Sequence, residues 1–101
     1  MLFETGQPGE HMYVVLSGAV ELQAAGRAIE TVERGGILGE LALVDNEVRS
    51  ATAIVTAEAS LVPIARKRFL YLVQQMPHFA ISVMEVMAQR LRRRLRDEPA
   101  S

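Results

Sequence analysis

The 101-residue chain contains no cysteine and no tryptophan, and only two of its residues are histidines. The absence of cysteine excludes disulfide bonds and thiolate metal sites. The histidines, His11 and His78, lie far apart in sequence and do not form a metal-ligand pattern. No apolar run approaches the roughly 20 residues that a membrane-spanning helix needs. Residues 1–4 are acidic and lack the apolar segment of a signal peptide, so we predict a cytoplasmic protein.

The chain also has almost no net charge, −1 at pH 7, and half of its residues are hydrophobic. These values predict one small globular domain over residues 1–101, with a modest core. Near-neutrality argues against a domain that binds nucleic acid directly. Five arginines nevertheless crowd the C-terminal part of the chain: Arg90, Arg92, Arg93, Arg94 and Arg96. We interpret them as a solvated helix end, favoured by the helix dipole, rather than a nucleic-acid patch, because no recognition module accompanies them.

Short strand-like runs dominate residues 1–65. They combine β-branched residues or alternating polarity with turn residues between them, and they fall at residues 12–16, 19–23, 28–33, 51–55 and 60–65. The segment Ala24-Ala25-Gly26-Arg27 predicts a hairpin turn between the second and third runs. Several short strands separated by turns indicate a mainly β fold, either a sandwich or a barrel.

Helical spacing replaces this pattern from Arg66 onward. We expect one helix up to about Met76 and a second from about His78 to Arg96, with Pro77 ending the first or beginning the second. Residues 97–101 are predicted to form a frayed tail. The second helix carries one near-heptad apolar stripe: Ala80, Met84, Met87, Leu91 and Leu95. We interpret Met84 and Met87 as core residues, and the stripe as a surface through which two copies could form a homodimer.

The most informative stretch is residues 35–53, where glycines precede Glu40 and a polar turn precedes Arg49 and Ser50. A helical turn that begins near Gly39 would present free backbone N–H groups, which attract anions. A guanidinium grips two phosphate oxygens, and a serine adds a hydroxyl donor. Glu40 would repel a phosphate unless the same ligand also offered a hydroxyl. A sugar phosphate meets both demands.

Gly39-Glu40-Leu41-Ala42-Leu43, followed by Arg49-Ser50-Ala51-Thr52, closely resembles the phosphate-binding cassette of cyclic nucleotide-binding domains. Such domains occur in the catabolite activator family, in regulatory subunits of cyclic AMP-dependent kinase and in cyclic nucleotide-gated channels. The pattern F-x-x-G-x-x-G-x-x-M-Y-V-V-L-x-G-x-V, from Phe3 to Val20, resembles the first half of their β-roll. The resemblance implies a jelly-roll-like β-roll over about residues 1–65, followed by C-terminal α-helices over about residues 66–96.

The resemblance also implies a role for each cassette residue. Glu40 would accept the ribose 2′-hydroxyl, and Arg49 would hold the cyclic phosphate. Ser50 and the backbone N–H groups of Leu41 and Ala42 would bind the remaining phosphate oxygens. The expected ligand-binding set is Gly39, Glu40, Leu41, Ala42, Arg49, Ser50 and Ala51.

The implied function is a non-catalytic regulatory domain that senses a purine cyclic nucleotide, cyclic AMP in preference to cyclic GMP, without a cofactor. Two departures from the family stand out: no helices precede the β-roll, and no helix-turn-helix follows the last helix. The chain would then be either truncated or minimal, and one alternative is that it is the sensor fragment of a larger transcription regulator, channel or kinase. The region where some members contact the base is arginine-rich here.

Three other hypotheses stay open. A metal-dependent jelly-roll enzyme would need several His and carboxylate ligands around one metal. A degenerate β-roll would serve only as an interaction module. Lastly, a buried ion pair between Glu40 and Arg49 would merely hold a turn together.

Overall fold

The computed structural model describes residues 1–97 and contains four strands and three helices within them. Strand β1 spans His11–Ala24, β2 spans Arg27–Val32, β3 spans Ile37–Leu38 and β4 spans Thr52–Ala65. Helix α1 spans Glu40–Asp45, α2 spans Arg66–Gln75 and α3 spans Pro77–Asp97. Both long helices lie where the apolar spacing predicts them, and Pro77 begins the second. Asp97 belongs to α3, whereas the rest of the predicted tail, residues 98–101, lies outside the described residues.

Strand β1 is the centre of an antiparallel sheet. It pairs with β4 from His11↔Ala65 to Gln23↔Thr52, with β2 near one end and with β3 near the other. Because a strand has only two edges, β2 and β3 share one edge of β1 and β4 lies along the other. The mainly β class with C-terminal helices is therefore as predicted.

The two long strands differ from the prediction of separate short ones. The chain continues as one strand through Ser17 and Gly18, and the pairing register with β4 shifts three times between Val15 and Val20. Such bulges bend a strand without ending it. Gly18 has φ of +81°, and a Cβ at this position would overlap the carbonyl of Glu58 on β4. Gly18, which the sequence pattern predicted to be a turn residue, thus allows β1 and β4 to approach each other closely.

The hairpin between β1 and β2 has the predicted position. Ala25 and Gly26 form a two-residue loop in which both residues have positive φ, at 53° and 75°. Two positive φ values are typical of the type I′ turn, whose twist matches that of the flanking strands. Glu30, on the β2 side of this hairpin, accepts hydrogen bonds from Arg90 and Arg93 of α3.

The interior consists of two apolar clusters. The first lies within the sheet and contains Phe3, Val15, Val20, Leu22, Val32, Leu38 and Ala53. The second lies between the sheet and the helices and contains Met12, Leu43, Ile64, Phe69 and Val83. Because Leu43 on α1 packs in the second cluster, the short helix is anchored between the sheet and the long helices.

The apolar stripe of α3 is only partly buried. Met87 packs against the second cluster, but Met84 is 53% exposed, so its assignment to the core was wrong. Leu91 and Leu95 are also more than half exposed. The inward face of α3 instead carries Val83, Met87 and Arg90, and at about 100° per residue the exposed members lie roughly a quarter-turn away.

Candidate functional site

The stretch that resembles the cassette contains the short helix α1, and the residues that flank this helix on both sides have positive φ. Gly39 caps α1 with φ of 82° and ψ of 4°, and Asn46 ends it with φ of 59°. The carboxylate of Asp45 accepts a hydrogen bond from the backbone N–H of Glu47 at 3.0 Å, which closes the polar turn. These local features place Glu40 at the first position of α1, between Gly39 and the buried Ala42.

Glu40 is the most buried carboxylate of the described residues, with 1% of its surface exposed. Its Oε1 accepts a hydrogen bond from Nη1 of Arg90 on α3. Its Oε2 is buried without a hydrogen-bond partner within residues 1–97. A buried carboxylate oxygen without a donor is costly, so this atom is suited to a ligand hydroxyl.

Arg49 is 4% exposed and lies against the N-terminal segment. Its Nη1 donates to the carbonyl of Gly39 at 2.9 Å, and its Nη2 donates to the carbonyl of His11 at 2.6 Å. The guanidinium carbon lies 4.1 Å from the centre of the Phe3 ring. Its Nε is buried without a partner within residues 1–97. Burial lowers the pKa of Arg49, although the nearby Tyr13 and Glu40 oppose this shift.

Two glycines allow Arg49 to lie so close to the backbone. A Cβ on Gly39 would lie 2.6 Å from Nη1 of Arg49, and the positive φ of Gly39 also disfavours a side chain. A Cβ on Gly9 would overlap the Cβ of Ala42 and lie 3.1 Å from the guanidinium carbon of Arg49. The N-terminal segment therefore packs tightly on both the short helix and the arginine.

The remaining predicted site residues differ in their burial. Ala42 is buried, whereas the side chain of Leu41 is 37% exposed. Ser50 is exposed and Ala51 is half-buried at the start of the run into β4. Glu40 and Arg49 do not form a salt bridge with each other, since Glu40 pairs with Arg90 and Arg49 donates to carbonyl groups. The hypothesis of a structural Glu40–Arg49 ion pair was therefore wrong.

Arg90 is the site residue that sequence reasoning misplaced. We expected it to belong to a solvated helix end, but its side chain is only 16% exposed. Its Nε and Nη2 donate to the Glu30 carboxylate, each at 2.9 Å, and Nη2 also donates to the carbonyl of Ile37 at 2.7 Å. Burial alone would lower the pKa of Arg90, but Glu30 and Glu40 together raise it. The available signal was its spacing from Val83 and Met87, which places it on the inward face of α3.

Glu30 and Arg66 are two further residues that the sequence analysis did not single out. Glu30 also accepts a hydrogen bond from Nη1 of Arg93 at 3.0 Å. Arg66, the first residue of α2, donates to the carbonyls of Leu43 at 2.6 Å and Ala42 at 3.1 Å. It thereby satisfies carbonyl groups at the C-terminal end of α1, which would otherwise lack partners.

Comparison with known proteins identifies the class to which this arrangement belongs. The family model described as cyclic nucleotide-binding domain matches residues 1–76. The chain therefore belongs to the cyclic nucleotide-binding domain family, and its mainly β fold with C-terminal helices is that of this family.

Individual relatives agree with this assignment. The cyclic AMP receptor protein of Thermus thermophilus is 30% identical over 96 residues, which cover 90% of this chain and 44% of that protein. The crystal structure of the Thermus thermophilus catabolite activator protein matches with a TM-score of 0.80 and 31% identity, covering 90% of this chain and 45% of that chain. A cGMP-dependent protein kinase of Toxoplasma gondii is 28% identical over 72 residues, covering 70% of this chain and 7% of the kinase.

The chain spans less than half the length of these relatives. Within the described residues, no helix is long and apolar enough to cross a membrane. The same residues contain no group of three or more His, Cys, Asp or Glu side chains that could hold a metal ion.

Proposed function

We propose that the chain is one regulatory, non-catalytic domain that binds a single purine cyclic mononucleotide at residues 39–51. The observation that carries the proposal is a pair of buried polar atoms without partners within residues 1–97, Oε2 of Glu40 and Nε of Arg49. One is a charged acceptor and the other a charged donor. A ligand that combines a hydroxyl with an anionic group would satisfy both, and a cyclic nucleotide has this combination.

The proposed contacts follow from the chemistry of each group. Glu40 accepts the ribose 2′-hydroxyl through Oε2, because Oε1 is already held by Arg90. Arg49 holds the cyclic phosphate, and the exposed hydroxyl of Ser50 donates to another phosphate oxygen. The backbone N–H groups of Leu41 and Ala42 lie in the first turn of α1, where helical N–H groups lack intrahelical partners. Gly39 and Ala51 complete the set by keeping the backbone close to the ligand.

We favour cyclic AMP over cyclic GMP as the ligand. The support is the similarity to the cyclic AMP receptor protein of Thermus thermophilus, which covers more of this chain than the similarity to the cGMP-dependent kinase. The presence of both Glu40 and Arg49 in buried positions argues against a β-roll that has lost its ligand. The chain covers 44% of the cyclic AMP receptor protein of Thermus thermophilus, and we propose that it likewise acts as the sensor part of a larger regulator.

We further propose that two copies associate through the exposed apolar residues of α3, which include Met84, Leu91 and Leu95.

Nucleic acid is not a proposed partner. Two of the C-terminal arginines, Arg90 and Arg93, form ion pairs with Glu30 and Glu40 and are thus engaged within the domain.

A thermal-shift titration tests the proposed ligand class. A ligand that binds only the folded state stabilises it by about 2.7 kcal/mol when its concentration is 100 times Kd. We expect cyclic AMP to raise the unfolding temperature in a saturable manner, and 5′-AMP, which lacks the cyclic phosphate, to do so far less. No shift with either cyclic AMP or cyclic GMP at millimolar concentration would contradict the proposal and would favour an interaction module without a ligand.

A further inference from the structure

Three charged residues from three elements form one cluster of ion pairs. Glu30 lies on β2, Glu40 begins α1 and Arg90 lies on α3. The Glu30 side chain is 20% exposed, Arg90 is 16% exposed and Glu40 is 1% exposed. One guanidinium thus interacts with two carboxylates in a largely buried setting.

The guanidinium of Arg90 donates two hydrogen bonds to the Glu30 carboxylate but only one to the Glu40 carboxylate. Its Nε and Nη2 bind both oxygens of Glu30, each at 2.9 Å, in the side-on geometry that an arginine fork favours. Only Nη1 reaches Glu40, and it binds Oε1 alone. Oε2 of Glu40 therefore stays without a partner within the described residues.

This hydrogen-bonding pattern of Arg90 requires the carboxylate of Glu30. If its carboxylate were absent, the fork formed by Nε and Nη2 would lose its partner. A buried guanidinium then gains most by turning that fork onto the remaining carboxylate, where it could bind Oε1 and Oε2 together. The second oxygen of Glu40 would no longer be available to a ligand hydroxyl.

We infer that Glu30 is a positioning residue for ribose recognition: it holds the fork of Arg90 and so keeps Oε2 of Glu40 open. The inference rests on the proposed function, since it concerns the same ligand. It extends that function to a residue on β2 that lies outside residues 39–51. Arg93 supports the arrangement, because its Nη1 binds Oε1 of Glu30 at 3.0 Å.

The charge state of Glu30 agrees with this role. Burial alone would raise the pKa of its carboxyl group, but the hydrogen bond and charge of Arg90, together with Arg93, lower it below the ordinary value. Glu30 is therefore ionised at neutral pH and can compete with Glu40 for Arg90.

The test compares cyclic AMP with 2′-deoxy cyclic AMP by calorimetric titration of wild type and Glu30→Gln. The ratio of the two dissociation constants measures how well the protein recognises the 2′-hydroxyl. In wild type we expect a ratio of at least about tenfold, which corresponds to one hydrogen bond to a charged group. In Glu30→Gln we expect the ratio to fall at least about threefold. The affinity for cyclic AMP should decrease, whereas the affinity for 2′-deoxy cyclic AMP should hardly change.

If Glu30 had only a structural role, the result would differ. A loosened α3 would then lower the affinities for cyclic AMP and 2′-deoxy cyclic AMP by the same factor, and their ratio would not change. Glu33→Gln is the matched control, because Glu33 is exposed just beyond β2 and the substitution changes charge equally. It should leave the ratio unchanged. In an Arg90→Met background, Glu30→Gln should no longer affect the ratio.

Each outcome decides the inference. An unchanged ratio in Glu30→Gln, while wild type binds cyclic AMP, overturns the role of Glu30 and leaves the proposed function intact. Failure of wild type to bind either ligand overturns both. If Glu30→Gln does not unfold cooperatively, Glu30→Asp provides the test. Its shorter side chain holds the fork less well and should lower the ratio in the same direction, whereas an unchanged ratio contradicts the inference.

Discussion

Arg90 and Glu40 form an ion pair although 50 positions separate them in sequence. The contact joins the last helix to the first residue of the cassette helix. Because Glu40 is almost fully buried, removal of Arg90 would leave a buried carboxylate with less compensation, which is strongly unfavourable. The geometry of the candidate site therefore depends on how α3 packs on the sheet, as well as on the cassette.

The first prediction concerns Glu40. A cyclic 3′,5′-phosphate leaves the ribose with only its 2′-hydroxyl, and a buried carboxylate that loses this donor costs roughly 1–3 kcal/mol. We expect 2′-deoxy cyclic AMP to bind wild type at least about tenfold more weakly than cyclic AMP. In Glu40→Gln the difference should shrink, because the charged acceptor is gone. Competition binding with both nucleotides measures this, and equal affinities in wild type would show that Glu40 does not contact the ribose.

The second prediction concerns Gly9. In Gly9→Ala the new methyl group would overlap Ala42 and press on the guanidinium of Arg49. Overpacking of this kind typically costs about 1–3 kcal/mol, and here it should also weaken cyclic AMP binding, because Arg49 would be displaced. Gly26→Ala is the control, since its Cβ would meet nothing within 4 Å. It should lower the unfolding temperature through its positive φ but leave the affinity unchanged.

If Gly9→Ala bound cyclic AMP as tightly as wild type, the close packing of the N-terminal segment on Arg49 would have no role in binding.

The sequence predicted the local geometry around Glu40 better than its distant contacts. Gly39 and Glu40 are adjacent in sequence, and the predicted helical turn that begins near Gly39 is present as α1. The buried setting of Arg90 could not be derived in the same way. Nothing local connects Glu30, Glu40 and Arg90, which lie on β2, α1 and α3, and a run of arginines near a helix end is usually solvated.

In the fold, too, the sequence pattern predicted local features better than long-range packing. Periodicity identified the strand residues but divided β1 at Ser17 and Gly18, where the chain instead bends and continues against β4. Strand β3, Ile37–Leu38, is too short to give a pattern of its own. The stripe on α3 was recognised, but a near-heptad spacing could not show that Met84 faces outward while Met87 faces the core.

The third prediction is a pH dependence of stability that arises from Glu30. Its folded-state pKa lies below the ordinary value of 4.5, so its contribution is fully present above that value and is lost as the pH falls through the lowered pKa. Urea unfolding from pH 7 to pH 3 should show that wild type is more stable than Glu30→Gln at pH 7, with the difference shrinking in acid. A constant difference across this range would show that the Glu30 charge is not the cause. Glu33→Gln should follow the wild-type profile.

The fourth prediction concerns association. Leu91 is 57% exposed on α3, and a charge there should break a helix-to-helix interface. We expect sedimentation equilibrium to show a wild-type dimer and a Leu91→Glu monomer. Leu70→Glu is the matched control, because Leu70 is 52% exposed on α2 and lies outside the stripe. A wild-type monomer at high concentration, or equal dissociation in both variants, would contradict an interface through α3.

The fifth prediction compares the two phosphate-binding side chains. A charge-assisted contact from a guanidinium is roughly twice as strong as a neutral hydrogen bond. Arg49→Ala should therefore weaken cyclic AMP binding more than Ser50→Ala does. We expect Arg49→Ala to cost about 2–4 kcal/mol of binding free energy, or roughly 30- to 1000-fold in affinity relative to wild type. Arg49→Lys keeps the charge without the planar fork and should also bind more weakly than wild type. Wild-type affinity in Arg49→Lys would show that no fork is needed.

Calorimetric titration of wild type and Arg49→Ala with cyclic AMP tests the central claim most directly, because it measures both stoichiometry and affinity at the proposed site. The account predicts one cyclic AMP per chain in wild type and an affinity loss of roughly 30-fold or more in Arg49→Ala. No binding heat with wild type at millimolar cyclic AMP, or equal affinity in the two proteins, would contradict it.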